Sequence, residues 1–296
     1  MNIVVFGAGA IGSFFGGVLS KNNNVFLIGR KDHVEKINKN GLKIIGKTNH
    51  NAKLEAFAFV KDVFIIPDLV ILAVKSYDTQ QAMSLIKPII RDNTYVMSLQ
   101  NGLDNIGKIR KYVNSEKILA CITTHGVVFS KPGSVEHTGV GRTIVGALNN
   151  KKTGFVKDIA SNLNNCGIKT TICNEINSEI WTKAIINSSI NPVTSIFCCK
   201  NRYLLNNPIL EKIVERICIE STNIANSQGF NFSESDMIDK TKQVINETSE
   251  NYSSMLQSVK SGKKTEIDSI NGKLVEIGKK SGVDASLNEI LVYSIK

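Results

Sequence analysis

The chain has 296 residues, 42% of them hydrophobic, with 36 Lys and Arg against 26 Asp and Glu for a formal net charge of +10. That length and apolar content allow two domains or one large one; no run approaches the roughly 18 apolar residues of a membrane span and no signal-peptide pattern opens the chain, so a cytoplasmic protein without a membrane partner is expected. The basic residues are dispersed with no basic run and no interleaved aromatics, which excludes a nucleic-acid partner, while six cysteines without a C-x-x-C pair and four scattered histidines indicate neither a disulfide framework nor a metal site.

A buried-type strand, Asn2 to Phe6, runs straight into Gly7-Ala8-Gly9-Ala10-Ile11-Gly12 and an amphipathic helix from Ser13 to Ser20. In the dinucleotide fold the first glycine makes the tight turn, the second admits a pyrophosphate and the third lets helix and strand pack closely. The six residues Gly7 to Gly12 are therefore expected to bind a dinucleotide at the helix N-terminus. A second strand, Asn24 to Gly29, should end at the adenosine ribose, where NAD enzymes usually place an acid. Here Arg30 follows instead, and its planar fork suits the 2′-phosphate of NADPH. A solvated loop charge is the competing reading, and Asp32 lies close by.

Gly41 to Thr48 matches the triphosphate-loop pattern G-x-x-x-x-G-K-T letter for letter, but it follows the polar helix Asp32 to Asn40 and reads as a short strand, so an ATPase is not expected. Two further buried strands, Asp68 to Val74 and Thr94 to Leu99, end at Lys75 and Asn101, where ligands of a doubly wound sheet sit. Between Ile118 and Leu148, apolar runs punctuated by glycines read as strands and hairpins completing that sheet, and Ile168 to Cys173 as its last strand. After Asn174 only helical signals remain: Pro208 to Ser227 closed near Gly229, a helix capped by Ser233 with Asp236, and another from Thr265 to Lys280 closed by Gly282. The fold class is thus α/β, with a Rossmann-type doubly wound domain over residues 1–174 and an all-helical domain over residues 175–296. An apolar face on the C-terminal helices would serve either a homodimer or a core.

The densest chemical signal lies in Trp181 to Asn191. Lys183, Asn187 and Asn191 are spaced four apart, so on a helix their heads form one gently slanting row inside an apolar surround. One cation and two amides inside that surround look like a binding surface; a solvent-facing stripe on a partly buried helix is the bland alternative. Pro192 should kink or end the helix where the row ends.

Taken with Ser253-Ser254-Met255-Leu256-Gln257 and Thr265-Glu266-Ile267-Asp268 before Ile270-Asn271-Gly272, the glycine loop and the lysine row make the chain resemble ketopantoate reductases over nearly its whole length. That resemblance implies NADPH-dependent reduction of 2-dehydropantoate to (R)-pantoate, on the route to pantothenate and coenzyme A. It implies Lys183 as general acid, with Glu266 assisting. It further implies Asn187, Asn191, Asn251 and Ser254 as substrate ligands, Asn201 as a less securely placed one, and Arg30, Lys75 and Asn101 on the cofactor side. Without it, Glu266 reads as a first-turn helix carboxylate and Ser254 as an exposed helix serine. The chemistry is consistent: hydride delivery to a C2 ketone builds negative charge on oxygen that a nearby ammonium can stabilise and protonate. A reductase of another branched 2-oxo acid and a catalytically silent NADPH-sensing regulator are the alternative functions.

Overall fold

A computed structural model describes residues 1–149 and 154–296. They form two compact units, Met1–Gln100 with Asn105–Asn177, and Asn101–Asp104 with Ser178–Lys296.

The first unit contains strands β1 (Asn2–Phe6), β2 (Asn24–Ile28), β3 (Leu42–Gly46), β4 (His50–Ala52), β5 (Glu55–Phe57), β6 (Leu69–Leu72), β7 (Tyr95–Ser98), β8 (Ile118–Thr123), β9 (Gly126–Lys131), β10 (Ser134–Gly139), β11 (Thr143–Ala147) and β12 (Thr170–Ile172). Its helices are α1 (Ala10–Leu19), α2 (Lys31–Asn40), α3 (Thr79–Ile86), α4 (Asn105–Ile109) and α5 (Gly154–Asn165). Eight strands form the main sheet in the order β12-β11-β8-β7-β6-β1-β2-β5. All its neighbours pair in parallel except β8 with β11. Strands buried on both faces must be apolar throughout, and Ile3, Val4 and Val5 are fully buried. The order reverses between β1 and β6, so the crevice for a ligand opens beyond their carboxyl ends, after Phe6 and Leu72.

The hairpins do not all complete this sheet. β9 and β10 leave it and join β3 and β4 in a separate sheet of order β4-β3-β10-β9. The G-x-x-x-x-G-K-T segment is thereby accounted for: Leu42 to Gly46 is β3, paired in parallel with β10, and no helix follows it. Nor is α1 amphipathic, since every residue from Gly12 to Leu19 is buried. It packs against β1 and β2 on one side and against the small sheet on the other. A Cβ at Gly16 would lie 2.5 Å from a Leu27 methyl and one at Gly17 2.8 Å from an Ile44 methyl, so small residues let both layers close on the helix.

Three of the four histidines, scattered in sequence, gather around this sandwich. His137 lies 4.5 Å and His125 5.5 Å from the Phe14 ring, and His33 lies 4.8 Å from Phe129, measured between ring centres. His125 Nδ1 accepts from the Gly141 N–H at 3.3 Å and sits 2.9 Å from His137 Nε2, which also reaches the Gly139 carbonyl at 2.8 Å. The His137 ring therefore donates through Nε2, and its Nδ1 meets the Thr48 hydroxyl at 2.9 Å. Burial, with the neighbouring His137 second, pushes the His125 imidazole down to about 4, and burial lowers His137 and His33 as well. Among the described residues no cluster of three or more His, Cys, Asp or Glu is arranged to hold a metal ion.

The second unit is built from α6 (Ile176–Ile196), whose first two residues belong to the first unit, α7 (Tyr203–Asn206), α8 (Pro208–Asn226), α9 (Glu234–Glu247), α10 (Ser254–Lys260), α11 (Asn271–Ser281) and α12 (Ser286–Ile295). Its core joins Ile185, Ile190 and Val193 of α6 to Val214 and Ile217 of α8 and Met237 and Ile245 of α9. The capping chemistry is local: the Asn207 side chain accepts from the Ile209 and Leu210 N–H groups, Ser233 from that of Asp236, and Gly282 closes α11 at φ +67°. Thr265 does not open a helix. A 3-10 turn over Ile267–Ser269 comes first, and α11 begins only at Asn271. No helix among the described residues is long and apolar enough to cross a membrane.

Candidate active site

In the first unit, β1 delivers its chain end into a turn that only glycine can make. Gly7 has φ +110°, and a Cβ there would lie 2.6 Å from the Val74 nitrogen. Its N–H and that of Ala8 both donate to the Ile28 carbonyl, at 3.0 and 2.9 Å, holding the loop against β2. A Cβ at Gly12 would lie 2.1 Å from the Gly7 carbonyl oxygen, so the third glycine is a packing requirement. Gly9 differs: an added Cβ meets nothing within 4 Å. It is the N-cap of α1, which has neither a side-chain cap nor an acidic residue in its first turn. Ala8 is buried, while Ala10 and Ile11 are partly exposed on that first turn. The first turn of α1 thus keeps its helix N–H groups and the positive end of the dipole uncompensated by any side chain of that turn, the electrostatics a pyrophosphate needs.

β2 ends at Ile28, and Arg30 is the exposed N-cap of α2, so the acid-free position at the strand end is real. Asp32 is carried off onto the helix. Lys75, half-buried, precedes a 3-10 turn just beyond β6. Asn101 follows β7 but groups with the second unit, where the Leu103 N–H donates to the Ser269 carbonyl at 3.0 Å.

In the second unit the lysine row lies on α6 as its spacing requires. Lys183 and Asn187 are half-buried and Asn191 is 6% exposed, and the neighbouring Ala184, Ile185, Ile186 and Ile190 are buried. The row is therefore no solvent-facing stripe. Pro192 does not end the helix, which continues to Ile196. Proline strips one bond from a helix, that of its absent N–H to the carbonyl four residues back, and the Ser188 carbonyl finds another donor in Asn271 Nδ2 at 3.1 Å. α6 stops at Ile196, four residues after Pro192, and the chain leaves it through a left-handed residue at Cys198, φ +50°, with the Cys199 N–H returning to the Thr194 carbonyl at 3.1 Å.

Beyond that turn the chain brings Asn201 and Asn251 together. The Asn201 N–H donates to the Asn251 carbonyl at 3.0 Å and its Nδ2 to the Thr248 hydroxyl at 2.8 Å. Asn201 is 6% exposed, and its Oδ1 accepts from no donor among the described residues. Asn251 and Ser254 are exposed. Their segment is tied to α6 by Thr194 Oγ1, which donates to Ser253 Oγ at 2.7 Å, while Ser253 Oγ also caps α10. Thr194 does not stand out in the sequence, since threonine is unremarkable in helices, and Ser253 does so only as part of the Ser253 to Gln257 motif, without its role as a tie to α6. Glu266 is 7% exposed and sits before the 3-10 turn, so it is not a first-turn helix carboxylate.

The sequence model of the family described as Ketopantoate reductase PanE/ApbA matches residues 3–150, and that of Ketopantoate reductase PanE/ApbA C terminal matches residues 175–296. The chain is 40% identical over 297 residues to the 2-dehydropantoate 2-reductase of Pyrococcus abyssi, covering 100% of this chain and 97% of that one. The same figures hold for the 2-dehydropantoate 2-reductase of Pyrococcus horikoshii. Among solved structures it is similar to the ternary structure of D-mandelate dehydrogenase with NADH and anilino(oxo)acetate, at TM-score 0.94 and 28% identity. A PanE/ApbA family ketopantoate reductase from Ralstonia eutropha matches at TM-score 0.91 and 26% identity; both matches cover 100% of this chain and 97% of the other.

Proposed function

The chain belongs to the ketopantoate reductase family, and from that premise we propose that it reduces the C2 ketone of 2-dehydropantoate to (R)-pantoate with NADPH, the first unit binding the cofactor and the second the substrate. The reading rests above all on the row of one ammonium and two amides on α6, half-buried at Lys183 and Asn187 and buried at Asn191. When bound, the nicotinamide supplies the hydride. The residues of the chain do the rest. The glycine loop and the uncapped start of α1 receive the pyrophosphate, and Arg30 takes the 2′-phosphate. Lys75 and Asn101 complete the cofactor side.

Lys183 holds the proton that the C2 oxygen needs as charge builds on it, and its ammonium stabilises that charge beforehand. Its apolar flanks exclude water and strengthen the interaction. Glu266, buried in the same unit, assists it. Asn187, Asn191, Asn251 and Ser254 orient the carboxylate and hydroxyls of the substrate without adding charge. The unaccepting Asn201 Oδ1 is a buried acceptor in want of a donor, which a substrate hydroxyl would supply.

The test is loss of NADPH absorbance with 2-dehydropantoate, run beside NADH, beside 2-oxoisovalerate and beside a phenyl-substituted 2-oxo acid. Lys183→Ala should lower kcat by about 10²- to 10⁴-fold while NADPH still binds. Arg30→Ala should cost NADPH, and not NADH, about 10- to 100-fold in affinity, the size of a charged hydrogen bond. Undiminished turnover in Lys183→Ala removes the acid assignment, and a clear preference for another 2-oxo acid removes the substrate.

A further inference from the structure

Pro192 has no N–H, so the Ser188 carbonyl of α6 lacks its helical donor at a position where Ser188 is fully buried. A buried carbonyl must find a partner elsewhere. It finds Asn271, also fully buried, whose Nδ2 donates to Ser188 O at 3.1 Å and to Asn288 Oδ1 at 2.9 Å.

The direction of these bonds is forced. The Glu220 carboxylate only accepts, and it takes the N–H of Leu287 at 2.9 Å, that of Asn288 at 2.8 Å and Asn288 Nδ2 at 2.7 Å. Asn288 must therefore turn its Oδ1 to Asn271. Asn271 must then turn its Nδ2 the same way, towards Asn288 and Ser188 together. The cost is an Asn271 Oδ1 that is buried and accepts from nothing among the described residues. An amide held in that compromise is constrained in both position and orientation.

Its place in the chain gives the constraint a use. Asn271 is the first residue of α11 and lies five residues beyond Glu266 across the 3-10 turn. Ser188 is next to Asn187 and five residues beyond Lys183. One hydrogen bond thus pins the segment bearing Glu266 to the helix bearing the lysine row. A second clasp, Thr194 to Ser253 at 2.7 Å, pins the segment bearing Asn251 and Ser254 to the same helix, six residues beyond Ser188.

We propose that Asn271 is a positioning residue: through the carbonyl that Pro192 frees, it sets where the Glu266 segment stands relative to Lys183 and Asn187. The proposal rests on Lys183 and Glu266 acting as described above. A displacement of about 1 Å between reacting groups can cost about 10²-fold in rate. A merely structural role would be satisfied by any donor to Ser188 O; a positioning role would not.

That difference is testable, because Pro192→Ala returns an N–H to the helix and supplies the Ser188 carbonyl from within. Asn271→Ala is expected to lower kcat by about 10- to 100-fold, to leave NADPH affinity within twofold and to unfold at lower urea. In Pro192→Ala/Asn271→Ala the urea midpoint should return towards that of Pro192→Ala, while kcat stays at least tenfold below it. If Asn271→Ala alone does not fold, the double variant carries the same comparison. Recovery of kcat to within threefold of Pro192→Ala overturns the proposal, since Asn271 would then be a donor and nothing more. So does a double variant that still fails to fold, or an Asn271→Ala enzyme within threefold of wild-type kcat. Lys183→Ala, run alongside, separates the premise: full turnover there refutes the acid assignment whatever Asn271 does.

Discussion

Glu220→Gln isolates the buried carboxylate at the base of this network. The substitution keeps the shape and replaces one oxygen by an NH2. If the NH2 faces Leu287, one bond is lost and two N–H donors oppose each other at about the present 2.9 Å; if it faces Asn288, two bonds are lost. The cheaper orientation forfeits one charge-assisted bond, about 1.5–3 kcal/mol, and weakens the other two by about 0.5–1 kcal/mol each. The start of α12 loses a favourable anion, about 0.3–1 kcal/mol. Against this, an 8% exposed charge no longer has to be desolvated, a relief of about 1–3 kcal/mol. The net expectation is a loss of about 2–3 kcal/mol, and Glu220→Ala, which leaves all three donors unmet and a cavity besides, should lose about 4 kcal/mol or more. The only tryptophan, Trp181, lies in the second unit against Phe230, so its fluorescence in urea reads that unit. A Glu220→Gln midpoint that implies less than about 0.5 kcal/mol at unchanged slope would refute the reasoning, as would a Gln variant weaker than Ala.

The histidine sandwich makes the first unit acid-sensitive. His125 stays neutral when folded down to about pH 4 but protonates near 6.5 when unfolded, so stability is complete above about pH 6.5 and falls between 6.5 and 4. Allowing for the partly accessible ring, the fall should be about 1–2 kcal/mol, and thermal unfolding followed by circular dichroism across that range should show it lost in His125→Gln/His137→Gln. A flat wild-type profile would contradict the neutral pair. Gly9→Ala and Gly12→Ala should separate binding from packing: the first changes stability by less than about 0.5 kcal/mol yet weakens NADPH at least about tenfold, the second destabilises by at least about 2 kcal/mol because its Cβ lies 2.1 Å from an oxygen. Equal destabilisation by both would count against this division. Cys198→Gly should stabilise the second unit by about 0.5–1 kcal/mol, since glycine adopts the left-handed turn without the Cβ penalty. Cys198→Ala serves as control, and a glycine variant no more stable than it would show that the turn carries no strain.

What the sequence determined by itself was whatever depends on neighbours a few residues apart. The strand into Gly7-Ala8-Gly9, the acid-free end of β2 at Arg30, the Ser233 cap and the four-residue spacing of Lys183, Asn187 and Asn191 all follow from period and turn chemistry. The polar helix before Gly41 and the strand-like Leu42 to Ile45 likewise distinguish Gly41 to Thr48 from a triphosphate loop by local sequence alone. Tertiary structure decided the rest, because it depends on which distant segments meet. β3 pairs with β10, about ninety residues on, and that pairing diverts two hairpin strands into a second sheet and buries α1 on both sides. The same layering collects three histidines that are far apart in the chain. Pro192 is the clearest case. A local rule kinks or ends the helix there; the helix continues to Ile196, and an asparagine 83 residues from Ser188 donates to the carbonyl that the proline leaves. A rule built on local bonds has no term for that donor, and only the tertiary contact that brings Asn271 to Ser188 supplies one.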